Sequence, residues 1–180
     1  MCCHNNSYSA TMKPQKILSY LALFAVAATF GCATGAKFTG PKATHGDTAL
    51  LYVFRPSNPP LALKPAIVVN GIRAANLTNK GYFDLELEPG AYTIKADWSR
   101  ASGVPDSELT LQAERGRTYY VLIDSSMHTS GFVASGITVF PIFQFKGGIG
   151  LVDSEIAIRM IVSCGAIKTL PGVEGSIHPK

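Results

Sequence analysis

Four cysteines, four histidines and a short row of carboxylates carry what reactive chemistry this sequence offers. Cys32 sits in AVAATFGCATG, directly after an apolar run and directly before a small, polar stretch. Its thiol is therefore a core group, half of a disulfide or a point of covalent attachment. Asp84, Glu86 and Glu88 are spaced by two, and hard cations such as calcium take oxygen ligands. On a strand that spacing lays the three out in a row about 7 Å apart. No turn wraps them round an ion, so the row reads as a polar strand face. His45, His128 and His178 fall in segments read as tether, loop and tail. No His-x-x-x-His or Cys-x-x-Cys pair is present, and zinc has no support.

FKGGIG lacks the Lys-Ser/Thr that follows the glycines of a phosphate-binding loop and reads as a hairpin turn. Ser125, Ser126 and His128 lie close in sequence, but a nucleophile and its base are assembled in three dimensions, and no nucleophile elbow surrounds either serine. No catalytic residue, no metal site and no cofactor is expected. For binding, Trp98, the single tryptophan, and Tyr82 are the aromatic candidates for stacking a sugar ring. Trp98 shares an alternation phase with Tyr92, Ile94 and Ala96, which argues for the core or its edge. Tyr82 shares one with Asp84, Glu86 and Glu88, hence a solvated face, where a tyrosine at a strand start also serves to cover a sandwich end. Arg55 ends an apolar strand and is expected either to pair with a carboxylate across the sheet or to hydrogen-bond carbonyls at the rim.

What decides Cys32 is the segment in front of it. From Met12 the chain reads MKPQKILSYLALFAVAATFGC, with two lysines and then fourteen mostly apolar residues, Ile17–Phe30. A spanning helix needs roughly 20 apolar residues, so the run is short for a span and right for a secretory signal. Gly31–Cys32 then resembles the lipobox of bacterial lipoproteins, in which the signal is removed before the cysteine and the cysteine is acylated; Thr29 departs from the leucine most often found there. Residues 1–11, MCCHNNSYSAT, fit neither a signal nor a fold, and translation is expected to start at Met12. Cys2 and Cys3 then drop out. Acylation also competes with any bridge between Cys32 and Cys164, whose plain reading is a small buried hydrophobe. The resemblance implies a membrane attachment through acyl chains on Cys32 that is peripheral but lasting. Ala33 follows, where aspartate would favour the inner membrane, and this points to the outer membrane facing the periplasm.

The elements that must position these residues are all strands. Hydrophobic residues make up 47% of the 180 and charged ones 16%, which argues against disorder and for one core. The net charge of +4 falls to +2, 14 minus 12, without Lys13 and Lys16. Basic residues are scattered singly, so no nucleic-acid partner is expected. TALLYVFRP is apolar on both alternation phases, as a central strand covered on both sides would be. AIVVNGIRAANL carries Asn-Gly between apolar runs, a hairpin signal. YFDLELEPGAYTIKADW has period two on both sides of Pro89-Gly90 and is expected to be a hairpin with one face inward. SELTLQAE and TYYVLID continue the pattern. Past Asp124, SSMHTSGFVASGITVFPIFQFKGGIGLVD reads equally as a strand, a lid or a loop. DSEIAIRMIVSCGAIKTLPG reads as a helix start, with Asp153 or Ser154 as cap, Glu155 in the first turn and Pro171-Gly172 ending what precedes them; its β-branched isoleucines and valine would also suit a strand, and a short helix is expected.

The residues Tyr52, Phe54 and Arg55, then Asn70-Gly71, Gly81-Tyr82, and Pro89, Gly90 and Tyr92 follow the pattern of a family of small bacterial lipoproteins carrying a domain of unknown function. The resemblance covers residues 32–125. It implies likeness to prealbumin-like and carbohydrate-binding sandwiches, a matter of fold alone. The expected organisation is a leader at 12–31, a tether at 32–47, an antiparallel, all-β sandwich (prealbumin-like) over 48–165 with a short C-terminal helix, and a frayed tail at 166–180. The expected role is a non-catalytic binding or assembly module of the bacterial cell envelope, its partner an envelope protein. The alternative is a glycan- or peptidoglycan-binding module using Tyr82 or Trp98.

Overall fold

The computed structural model describes residues 33, 35–43, 46–135, 138–173 and 175–180. Residues 1–11, the expected leader and Cys32 lie outside them, as does His45. The described chain forms nine strands and one helix: β1 (Ala49–Arg55), β2 (Ala66–Val69), β3 (Ile72–Asn76), β4 (Gly81–Leu87), β5 (Gly90–Asp97), β6 (Ser107–Ala113), β7 (Thr118–Ser135), β8 (Thr138–Leu151), α1 (Ser154–Ile161) and β9 (Gly165–Ala166). They build two sheets, ordered β8-β7-β1-β4-β9 and β3-β2-β5-β6. The fold is an all-β sandwich with a short helix near its C-terminus.

β1 sits third in its sheet, and every residue of it is buried. Ala49, Leu51 and Val53 face the core between the sheets. Leu50, Tyr52 and Phe54 face outward, where Phe38, Tyr82, Tyr120 and the α1 residues Ala157 and Ile161 cover them in a second core. The two-phase apolar pattern of this strand is thereby accounted for, because each phase has its own cover. At the β2–β3 hairpin, Asn70 and Gly71 take φ of +47° and +87°, the two positive values that an Asn-Gly turn supplies. Asp153 caps α1 by accepting from the Glu155 backbone N–H at 2.9 Å, which satisfies one of the helix's open donors.

Four expectations are corrected. β4 and β5 do not form a hairpin: β4 pairs with β1 and β9, and β5 with β2 and β6. Pro89-Gly90 carries the chain from one sheet to the other, and both strands point their apolar phase into the shared core. Period-two patterning reports the buried face of a strand and not its neighbour. The larger sheet is also mixed rather than purely antiparallel, since β1 runs parallel to β7 and β4 to β9. FKGGIG is no turn but the second half of β8; a Cβ at Gly147 would meet the Pro105 carbonyl oxygen at 2.7 Å, so the glycine makes room for the loop crossing it.

The fourth correction concerns the ends. Residues 35–43 are not a free tether, because Phe38 is buried edge-on against Tyr52 and Tyr82 and the Lys42 backbone N–H donates to the Tyr52 hydroxyl at 2.8 Å. Nor does the C-terminus fray. Val173 and Ile177 enter the main core, and the Lys180 backbone N–H donates to the Ala91 carbonyl at 3.1 Å. Isolated apolar residues in polar company give no period to read, yet Phe38 joins the outer core over β1 and β4, and Val173 and Ile177 join the core between the sheets.

Candidate functional site

The end of the sandwich at which β1 finishes gathers the features with functional potential. Arg55, the last residue of β1, is fully buried. Its Nη1 donates to the Leu63 carbonyl at 2.6 Å, and its Nη2 to those of Asn58 and Pro60 at 2.8 and 2.7 Å. Of the two roles expected for it, rim carbonyls are the one it takes. The planar fork suits this, since several carbonyls of the 56–65 loop converge on one guanidinium. The same group lies 4.9 Å from the centroid of the Trp98 ring, within cation–π range. Burial pulls its pKa down to about 10, which leaves it a cation at neutral pH.

The loop so pinned holds what lies beyond it. Ser125 Oγ donates to the Pro59 carbonyl, and Asn58 Nδ2 donates to Asp124 Oδ1 at 2.5 Å. The Asn58 backbone N–H donates to Asn79 Oδ1 at 3.1 Å, and the Asn79 carbonyl accepts from the Ala33 backbone N–H at 3.1 Å. A chain of four residues, Ala33, Asn79, Asn58 and Asp124, therefore ties the place where the N-terminal segment enters the domain to the base of β7.

From there β7 and β8 run on as a two-stranded arm. β1 pairs with β7 only as far as Leu122, opposite Phe54, whereas β7 and β8 stay paired to Ser135 and Thr138. Met127 to Ser135 add roughly 25–30 Å of strand. The near part of the arm is packed: Phe145 lies against the main core. The far part carries Phe132, 69% exposed, together with exposed Val133, Phe140 and Ile142. Between Asp124 and Lys146 the sequence has no Asp, Glu, Lys or Arg. This arm is the feature sequence reasoning missed; the absence of charge over that length was the available signal.

The two sugar-stacking candidates are not brought together. Trp98 is 4% exposed, inside the main core and under Arg55. Tyr82 is 9% exposed, in the outer core, with Phe38 edge-on at 5.5 Å between centroids. The expectation of a solvated Tyr82 is corrected, because the outer face of β4 near Gly81 is covered by the N-terminal segment. Neither ring has a face open to a ligand.

The remaining polar candidates are engaged by neighbouring groups or lie apart. Lys42 Nζ lies 2.6 Å from Asp84 Oδ2, and that hydrogen bond raises the lysine pKa. Glu88 Oε2 lies 3.6 Å from His178 Nδ1. The Lys42–Asp84 pair borders a polar cleft of about 350 Å³ between β4 and the C-terminal segment, lined also by Glu86 and Ile177 among others. Ser125 is buried with its hydroxyl committed to Pro59, while His128 is exposed; three residues apart on one strand, they face opposite sides. Among the described residues no group of three or more His, Cys, Asp or Glu could hold a metal ion, and no helix is long and apolar enough to cross a membrane. Cys164 is a free, fully buried thiol whose Sγ lies 3.6 Å from the Arg55 carbonyl oxygen. Burial raises its pKa.

A family model described as protein of unknown function (DUF2846) matches residues 45–136, from just before β1 to the tip of the arm. No curated protein and no solved structure matches the chain.

Proposed function

Because the chain belongs to the DUF2846 family, whose description assigns no function, we propose its role from its own residues: a lipid-anchored protein of the bacterial cell envelope, held by acyl chains on Cys32 at the outer membrane, whose sandwich is a non-catalytic binding or assembly module. The observation that carries this is the position of Cys32. An apolar run too short to span ends at Gly31–Cys32, and the next residue, Ala33, already hydrogen-bonds the domain. An anchor there needs no slack, and it holds the Arg55 end of the sandwich against the bilayer. A glycan-binding version has lost its two aromatic platforms to the cores.

The test is membrane fractionation with mass spectrometry of the mature N-terminus. A chain starting at an acylated Cys32 is expected, and Cys32→Ser is expected to accumulate as uncleaved precursor that takes up no labelled palmitate. A soluble protein with its leader intact and its thiol unmodified overturns the reading.

A further inference from the structure

We propose that the distal part of the β7–β8 arm inserts obliquely into the interfacial layer of a lipid bilayer, giving the domain a second membrane contact beside its N-terminal attachment. The proposal deepens the reading above and rests on it for the end of the sandwich that meets the membrane.

Three observations converge on it. The first is that the arm is apolar on both faces. Phe132 pairs with Pro141, and Val133 with Phe140, and successive residues of a strand point to opposite sides. Phe132 therefore projects from one face, and Val133 and Phe140 from the other, all of them exposed. A flat protein surface covers one face of a ribbon; a fluid apolar layer covers both. The second is charge. The arm is free of Asp, Glu, Lys and Arg from its tip down to Asp124 and Lys146, so no charged side chain has to be desolvated. The third is direction. The arm leaves the sandwich at the end where Ala33 enters it, the two being linked through Asn79, Asn58 and Asp124.

Depth follows from the backbone. β8 is an edge strand and β7 loses β1 after Leu122, so the arm has two open edges whose N–H and C=O groups need water or headgroups. An open edge is not tolerated in hydrocarbon. The arm is thus limited to the interface and does not span. Pairing with a second copy along β8 is disfavoured by Pro141, which offers no N–H to a neighbour on an edge strand.

Two variants of the full-length protein test this, Phe132→Trp and Phe140→Trp, each added to vesicles of phosphatidylethanolamine and phosphatidylglycerol carrying brominated acyl chains. Both positions are exposed, so the fold tolerates them. The buried Trp98 gives the parent chain a constant background. Both variants are expected to shift emission to the blue and to be quenched at least twofold more by bromines near the glycerol than by bromines near the chain ends, with the parent unchanged. Absence of quenching overturns the proposal. So does quenching of one variant alone, or stronger quenching by chain-end bromines. A blue shift without quenching, accompanied by cross-links between arms, assigns the surface to a second copy instead. Mass spectrometry of the same samples reads Cys32 separately: a quenched arm on an unacylated chain counts against the anchor alone, and an acylated chain with an unquenched arm against the arm alone.

Discussion

The side-chain amide of Asn58 donates to the Asp124 carboxylate at 2.5 Å, and this contact ties the 56–65 loop to the base of the β7–β8 arm. Asn58 is itself held twice, through its carbonyl by Arg55 and through its N–H by Asn79. Arg55 therefore acts on the arm at one remove. It orders a loop, and the loop orders the base of β7.

Asn58→Asp replaces that donor with a second carboxylate. The lost bond and the repulsion are together worth about 1 kcal/mol, equivalent to roughly fivefold faster exchange of amides in the arm if opening there is local. Hydrogen exchange is expected to show the acceleration in β7 and β8 beyond Asp124 and to leave β2 and β5 unchanged. Uniform acceleration across both sheets would show that the contact holds the whole sandwich and not the arm.

Arg55→Leu removes every donor that reaches the Leu63, Asn58 and Pro60 carbonyls and uncovers Trp98. A buried charge-assisted network of this kind is worth about 3 kcal/mol. Urea denaturation followed by Trp98 emission is expected to show that loss, with faster chymotryptic cleavage after the exposed Leu61 in the freed loop. Arg55→Lys keeps the charge but reaches fewer carbonyls, and is expected to recover less than half. An unchanged midpoint with unchanged cleavage in both variants would contradict the role given to the fork.

How far the residues announce this architecture depends on whether a pattern reports a face or a neighbour. The double apolar phase of β1 announces a strand covered twice, and Asn70-Gly71 announces the β2–β3 turn, because each is settled within a few residues. Pro89-Gly90 misleads for the opposite reason: a tight turn between two amphipathic strands serves a hairpin and a crossing between sheets equally well, and only the pairing of β5 with β2 decides. Phe38, Val173 and Ile177 are single apolar residues without a period, and their burial depends on gaps in a sheet not yet assembled. The arm hides because both of its faces are apolar, which removes the alternation by which strands are recognised. Trp98 follows its phase into the core. Tyr82 follows its own phase to the outer face of β4, where its cover comes from a segment with no strand character.

Asp106 gives the fold an acid-sensitive latch. It accepts from the Trp98 backbone N–H at 2.8 Å and lies 3.0 Å from Lys95 Nζ; the backbone bond, first, and the lysine hold its carboxyl below its ordinary value of 3.8. A folded pKa below the unfolded one adds stability that is present above the unfolded value and is lost as pH falls through the folded value. Solvent screening limits the contribution at this surface position to less than about 1 kcal/mol. Asp106→Asn can still accept from Trp98 but does not titrate. Its denaturation midpoint is expected to vary less than the parent's on acidification below 3.8, and parallel acid profiles would remove Asp106 from the account.

Phe38 decides whether the residues after Cys32 are a tether or part of the body. Its ring meets Tyr52 at 5.4 Å and Tyr82 at 5.5 Å between centroids, edge-on to both, and Tyr52 in turn stacks on Tyr120. Emptying such a site costs about 3–5 kcal/mol when the surroundings cannot collapse, and edge-to-face pairs add roughly 0.5–1.5 kcal/mol each. The segment holding Phe38 is bound otherwise by a short bridge to β9, Lys37 opposite Gly165 with the Ala36 carbonyl accepting from the Ala166 N–H, and through Lys42 to Tyr52 and Asp84 and Lys37 to Ser163, polar contacts that water can replace once the ring is gone. Phe38→Ala is therefore expected to release residues 35–43 before the sandwich unfolds. Trypsin should then cut after Lys37 and Lys42 at least tenfold faster, while the far-ultraviolet signal of the sheets changes little. With that segment loose, Cys32 would gain about ten residues of slack, reaching some 15–20 Å as a flexible chain, and the Arg55 end would no longer be held at the bilayer. Cleavage as fast in the parent as in the variant would mean that the segment is a tether after all.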